Sequence, residues 1–231
     1  MPTNEHALAV WMKFCHRLGV IEQCVPLFDA DESGVVARRA IGRRETARPV
    51  LARSPAMESL VLAEVGKLVE DWKHRSRRYD GLLYIMGWRQ NDQFVPLYIG
   101  KTETHGMGDG NLSANIRNLG TTKSKFARWG DNYAYHMGDL SACVLPGHRP
   151  EKRASKYEAW AAALFENVPS LTPQLRQPVY FWAVAWDRSE VGVWEELGPT
   201  PLAFLEYLLI GVAGLAFPGL LNREGIGRHA G

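Results

Sequence analysis

The sequence predicts a mixed α/β (α+β) protein, with a small antiparallel sheet flanked by helices behind an N-terminal helical arm. Three observations predict it. Two short β-prone runs, Leu82-Leu83-Tyr84-Ile85 and Pro96-Leu97-Tyr98-Ile99-Gly100-Lys101-Thr102, flank the polar stretch Arg89-Gln90-Asn91-Asp92-Gln93, the pattern of a hairpin. A third run, 179–186, alternates Tyr180, Trp182, Val184 and Trp186 against Phe181, Ala183 and Ala185, as in a strand buried on both faces. The segments around these runs carry apolar residues at helical spacing.

In order along the chain, Leu8, Trp11, Met12, Cys15 and Leu18 space a helix over 7–20. Residues 29–53 are polar and basic, broken by Gly34, Gly42 and Pro49, and are expected to be loop or short helix. A helix should start at Ser54-Pro55, with Ser54 as N-cap and Pro55 at the first helical position. It runs through Leu60, Val61, Val65, Leu68 and Trp72 into the basic stretch before Tyr79. After the hairpin come a glycine-rich loop at 104–110 and a short helix at 112–119 carrying Arg117. The alternation of Phe126, Trp129, Tyr133 and Tyr135 predicts a strand starting near Asn132. Alanine content and spacing predict a helix over 156–165, and Pro201 opens another that ends near Gly214. The expected division is an arm at 1–78 and a core at 79–231.

Composition bounds the function. With 46% hydrophobic and 23% charged residues the chain is an ordinary globular protein rather than a disordered one. A net charge of +2 does not announce nucleic acid, but the arginines cluster. Arg38, Arg39, Arg43, Arg44, Arg48 and Arg53 crowd one segment, and Lys73, Arg75, Arg77 and Arg78 another. Such clusters are solvated faces or phosphate contacts. Cys15, Cys24 and Cys143 fit neither a disulfide framework nor a zinc knuckle, so a reducing, cytoplasmic setting is expected. The N-terminus lacks a signal-peptide layout. The apolar stretch 202–221, broken by Glu206 and Pro218, falls short of the roughly 20 apolar residues of a membrane span.

The chemistry-bearing candidates are few. Glu206 has Leu202, Ala203, Leu209 and Ile210 at helical spacing, where an unpaired carboxylate would cost several kcal/mol. It must face a polar cleft, pair with a base or bind a cation, and Mg²⁺ commonly takes one or two carboxylates plus water and phosphate oxygens. Tyr84 and Tyr98 can share one face of the hairpin. A phenol is a poor base unless cations stabilise the phenolate, and Lys101 and Arg117 are the cations at hand. Gly100-Lys101-Thr102 is no nucleotide-binding loop, because Val95 stands where that loop needs glycine. The seven histidines show no metal-ligand spacing.

Leu83-Tyr84 and Tyr98-Ile99-Gly100 resemble the two halves of the signature of the GIY-YIG nuclease superfamily, with Leu82 where that family usually has glycine. Asn115-Ile116-Arg117, Phe204-Leu205-Glu206-Tyr207 and Asn222 follow in the family's order. The long connections resemble those of its type II restriction endonucleases. This resemblance implies a DNA endonuclease with one Mg²⁺ (or Mn²⁺) bound by Glu206. Arg117, or alternatively Arg128, would stabilise the charged phosphorane, and Tyr84 or Tyr98 would activate water. Asn222 would hold Glu206 or the phosphate, with Gly100 and Lys101 in support. Outside the match, Arg38, Arg39, Arg43, Arg44 and Arg48 are expected to contact double-stranded DNA. A homodimer on DNA would place one site on each strand, its surface drawn from Trp129, Trp160, Trp182 and Trp194. The competing expectations are an idle nucleic-acid-binding module and a repair or nicking nuclease.

Overall fold

A computed structural model describes residues 4–43, 47–106 and 110–223. Helix α1 (Asn4–Arg17) forms where the spacing predicts, and Gly19, left-handed at φ 59°, separates it from α2 (Val20–Gln23). Then follow β1 (Val25–Pro26), β2 (Arg38–Ile41), β3 (Arg48–Leu51), α3 (Pro55–His74), β4 (Tyr79–Gln90) and β5 (Gln93–Glu103). Helices α4 (His136–Val144) and α5 (Ser155–Leu164), strand β6 (Tyr180–Asp187) and helix α6 (Leu202–Ala216) complete the order. The Ser54 hydroxyl accepts the Met57 N–H at 2.9 Å, so α3 starts at its expected cap.

Strands β1, β6, β4 and β5 form a four-stranded sheet in that order, with β4 antiparallel to both β5 and β6. The β4–β5 turn is Asn91-Asp92, with Asn91 left-handed at φ 54°. Strand β5 lies at the sheet edge, which is where a strand can hold Pro96. The register shifts between Met86 and Gly87: Met86 opposes Tyr98 and Gly87 opposes Pro96, leaving Leu97 as the extra residue of a bulge.

Contacts divide the chain into two compact units. One holds residues 1–25, 63–113 and 180–231, and the other holds 26–62 and 114–179. Each draws on residues from both sides of Arg78, where the sequence placed its boundary. In the first unit, Leu83, Ile85, Ile99, Trp182 and Trp186 leave one sheet face and pack against Trp11 and Phe14 of α1 and Leu202, Leu205 and Leu209 of α6. Each such side chain contributes about 1.5–3 kcal/mol on burial. Trp11 Nε1 donates to the Phe94 carbonyl at 2.8 Å, and Trp186 Nε1 to that of Thr200 at 2.7 Å.

The second unit corrects three expectations. Residues 29–53 hold the antiparallel pair β2–β3, with Arg38 opposite Leu51 and Ile41 opposite Arg48. Residues 112–119 form successive turns rather than a helix, because Asn118 turns left-handed at φ 62° and Leu119 bonds back only to Ile116. The strand expected near Asn132 is absent. Ala127, Arg128 and Ala134 have φ of 46°, 71° and 68°, which breaks an extended run, and the buried helix α4 follows. Trp129, Trp160 and Trp182, expected on a partner surface, are all buried, and Trp194 is half-buried. No helix among the described residues is long and apolar enough to cross a membrane.

Candidate active site

Backbone pairing fixes the tyrosines. Tyr84 opposes Gly100 and Met86 opposes Tyr98, so Tyr84, Met86, Tyr98 and Gly100 leave the sheet on one face. The two phenol rings lie 6.4 Å apart between centroids, tilted by 34°. The other side of Tyr84 stacks on Phe181, at 6.0 Å and 24°. A Cβ on Gly100 would sit 2.7 Å from the Tyr84 hydroxyl oxygen, inside van der Waals contact. The Tyr84 ring therefore lies flat over the strand at the one residue that has no side chain. The pairing of Tyr84 with Gly100 is the physical content of the Tyr-Ile-Gly spacing. Tyr84 is 2% exposed, while Tyr98, on the edge strand, is half-buried.

The remaining residues lie elsewhere around this sheet. Lys101 alternates to the opposite face from the phenols and pairs with Glu103, so it does not serve as their cation as the sequence suggested. Helix α6 also packs on that opposite face. On α6, Leu202, Leu209, Ile210 and Ala213 surround Glu206 at helical spacing and are buried, yet Glu206 itself is half-exposed. Its neighbour three residues back, Ala203, is exposed, so Glu206 lies at the border of the buried stripe.

Asn222 takes a role different from the expected one. Its Oδ1 accepts the Ile99 N–H at 3.0 Å and its Nδ2 donates to the Ile99 carbonyl at 2.8 Å. Beside it the Leu221 N–H donates to the Leu97 carbonyl at 2.7 Å. These bonds satisfy the outer edge of β5 at Leu97 and Ile99, and the Asn222 amide gives one N–H and one oxygen lone pair to backbone. Asn222 and Tyr98 are thus brought together across one residue of β5.

The arginines belong largely to the second unit. Arg117 is exposed within the turns after Leu112. Arg128 is half-buried, with its guanidinium 5.5 Å from the Tyr135 ring. Among the arginines expected on DNA, Arg39 pairs with Asp131, and Arg48 bonds the Asp131 carbonyl at 3.3 Å and stacks 4.4 Å from the Tyr133 ring. Arg38 and Arg43 are exposed, and Arg44 lies outside the described residues. Arg53, fully buried, bonds Asp131 and the Trp129 carbonyl at 2.7 Å each and Glu58 at 2.9 Å. Half of this cluster is therefore internal scaffolding around Asp131.

The chemistry available follows from these placements. All three cysteines are buried, and burial pushes the Cys24 and Cys143 thiols up to about 11, which leaves no thiolate nucleophile among them at neutral pH. Among the described residues no group of three or more His, Cys, Asp or Glu can hold a metal. A single carboxylate is not a metal site by itself, and a hard cation held by Glu206 would have to complete its shell with water and substrate oxygens. Sequence reasoning missed Phe181, whose place under Tyr84 depends on the β4–β6 register. Comparison with protein-family models, with curated proteins and with solved structures finds no match.

Proposed function

We propose that this chain is a cytoplasmic, metal-dependent endonuclease that hydrolyses DNA phosphodiesters, in the manner of the GIY-YIG restriction enzymes its motifs resemble. The observation that supports it most is the neighbouring pair Tyr84 and Tyr98 on one face of the hairpin, with Tyr84 laid over Gly100. Free, buried cysteines suit the reducing compartment.

In this reading the oxygen of Tyr98, the more accessible phenol, accepts a hydrogen bond from the attacking water and orients it, the proton passing to solvent, and Tyr84 packs beside the Tyr98 ring. Glu206 would hold a divalent cation, Mg²⁺ or Mn²⁺, which would supply neutralisation of the charge on the phosphate. In the family this chain resembles, the charge on phosphorus falls to an arginine, for which Arg117 and Arg128 are the candidates. Asn222 closes the outer edge of β5 beside Tyr98 and keeps that strand in place. Two chains on duplex DNA would cut both strands.

Plasmid nicking with and without Mg²⁺ tests this. Tyr98→Phe is expected to lower the single-turnover rate roughly a hundredfold, and Glu206→Ala to abolish cleavage while DNA binding survives. Wild-type rates in both variants would sink the assignment. The second reading, an idle nucleic-acid-binding module, draws on the near-complete burial of Tyr84. It predicts DNA binding without nicking in any divalent cation.

A further inference from the structure

The first unit carries a basic groove that the proposed catalysis does not use. At the end of α3 the chain reverses around Asp71, which is 7% exposed. Its carboxylate accepts the Arg78 N–H at 2.9 Å, the Tyr79 N–H at 3.2 Å and the Ser76 hydroxyl. Arg75 and Arg77, on either side of Ser76, both sit in the left-handed region at φ 55°. That backbone is disfavoured for a residue with a side chain. The turn fixes the direction in which both side chains leave the backbone. Both are exposed, and among the described residues neither forms an ion pair. Lys73 and Arg188 are neutralised by Glu70 and Asp80.

These residues line a groove of about 760 Å³ together with Trp72 and His105. Trp72 is 39% exposed and is held in place by a bond from its Nε1 to the Gly110 carbonyl at 2.8 Å. Two unpaired guanidiniums on a fixed turn beside an exposed indole suit a ligand with regularly spaced anions and flat apolar parts. Guanidinium binds phosphate through two parallel hydrogen bonds, and an indole packs against sugar or base.

We propose that this groove, rather than the 38–48 segment, is the main phosphate-contacting surface for DNA. The choice of DNA rests on the nuclease reading, but the test reads binding and not cleavage. The full chain is titrated with a short fluorescent duplex in EDTA over a range of NaCl concentrations. Each phosphate contact contributes about 0.9 to the slope of log K against log salt, so Arg75→Gly/Arg77→Gly should flatten it by about 1.8. Glycine accepts the left-handed backbone, so lost binding is not lost folding. Arg75→Lys/Arg77→Lys should restore most of the slope. An unchanged slope in the glycine variant overturns the groove, even if the wild-type protein nicks DNA. Equal binding of polyglutamate, with the same dependence on these arginines, overturns it in favour of an acidic protein partner. Groove-dependent binding without nicking would sustain it while the nuclease reading fails.

Discussion

Replacing Gly100 by alanine tests the packing of the tyrosine pair most directly. The added methyl would lie 2.7 Å from both the Cε2 and hydroxyl oxygen of Tyr84 and 2.8 Å from its Cζ, where ordinary contact begins near 3.4 Å. Tyr84 is held from its other side by Phe181 and cannot tilt away without opening that stack. Overpacking of this kind costs about 1–3 kcal/mol. In a chain of this size each kcal/mol lowers the melting midpoint by about 2–4 °C. The φ of Gly100 is not positive, so alanine is otherwise welcome there, and a permitted Gly→Ala change stabilises by about 0.4–1 kcal/mol. The sign should therefore depend on Tyr84. In wild type, Gly100→Ala destabilises; in a Tyr84→Ala background the same change becomes neutral or stabilising. Urea unfolding of the four proteins in this cycle measures the coupling. Equal costs in the two backgrounds would refute the packing account and leave Gly100 without a stated reason.

The other predictions concern neighbouring parts. Asn222→Ala leaves the Ile99 N–H and carbonyl unpaired at about 1–3 kcal/mol each, and hydrogen exchange at the Ile99 amide should accelerate; unchanged exchange would remove Asn222 from the sheet edge. Arg53→Met takes from Asp131, whose side chain is 4% exposed, its buried partner and leaves it the half-buried Arg39, and should destabilise by about 1–3 kcal/mol. Arg38→Ala, on the exposed face of β2, should stay within about 0.5 kcal/mol. His136 is wholly buried, and burial, with Lys156 and Arg128 nearby, holds its pKa well below the usual histidine value. The unfolded chain then binds a proton that the folded chain refuses, so stability should fall as pH drops below about 6.5. A His136→Gln protein should lose that part of the slope, and an unchanged pH profile of unfolding would contradict a neutral His136.

Wherever structure rests on local chemistry, it was legible in the sequence. Helix α3 starts at Ser54-Pro55 because the cap bond spans three residues, and α1, α5 and α6 follow from their spacing or composition. The β4–β5 hairpin needed only two β-prone runs and a polar turn, and side-chain alternation then put Tyr84 and Tyr98 on one face. Strand β2 carries no such signal: Arg39 is tied to Asp131, 92 residues further on, and nothing within four residues of Arg39 betrays that partner. The same distance hid the internal use of Arg39, Arg48 and Arg53, which in the sequence look identical to a phosphate-binding cluster. The missing strand near Asn132 was lost to left-handed residues at 127, 128 and 134, and alanine and arginine do not announce that conformation. Glu206 stood out as a lone carboxylate in an apolar stretch, but which sheet face its helix covers depends on topology, not on spacing. The sequence by itself determined α1, α3, α5, α6, the β4–β5 hairpin, β6 and the shared face of the tyrosines, since those depend on periodicity and local chemistry. Tertiary structure alone decided that Asn222 closes the edge of β5, that Lys101 turns away from the phenols, and that Arg75 and Arg77 stay unpaired. A charge or an amide takes its role from the partner that folding brings to it, and that partner has no fixed place along the chain.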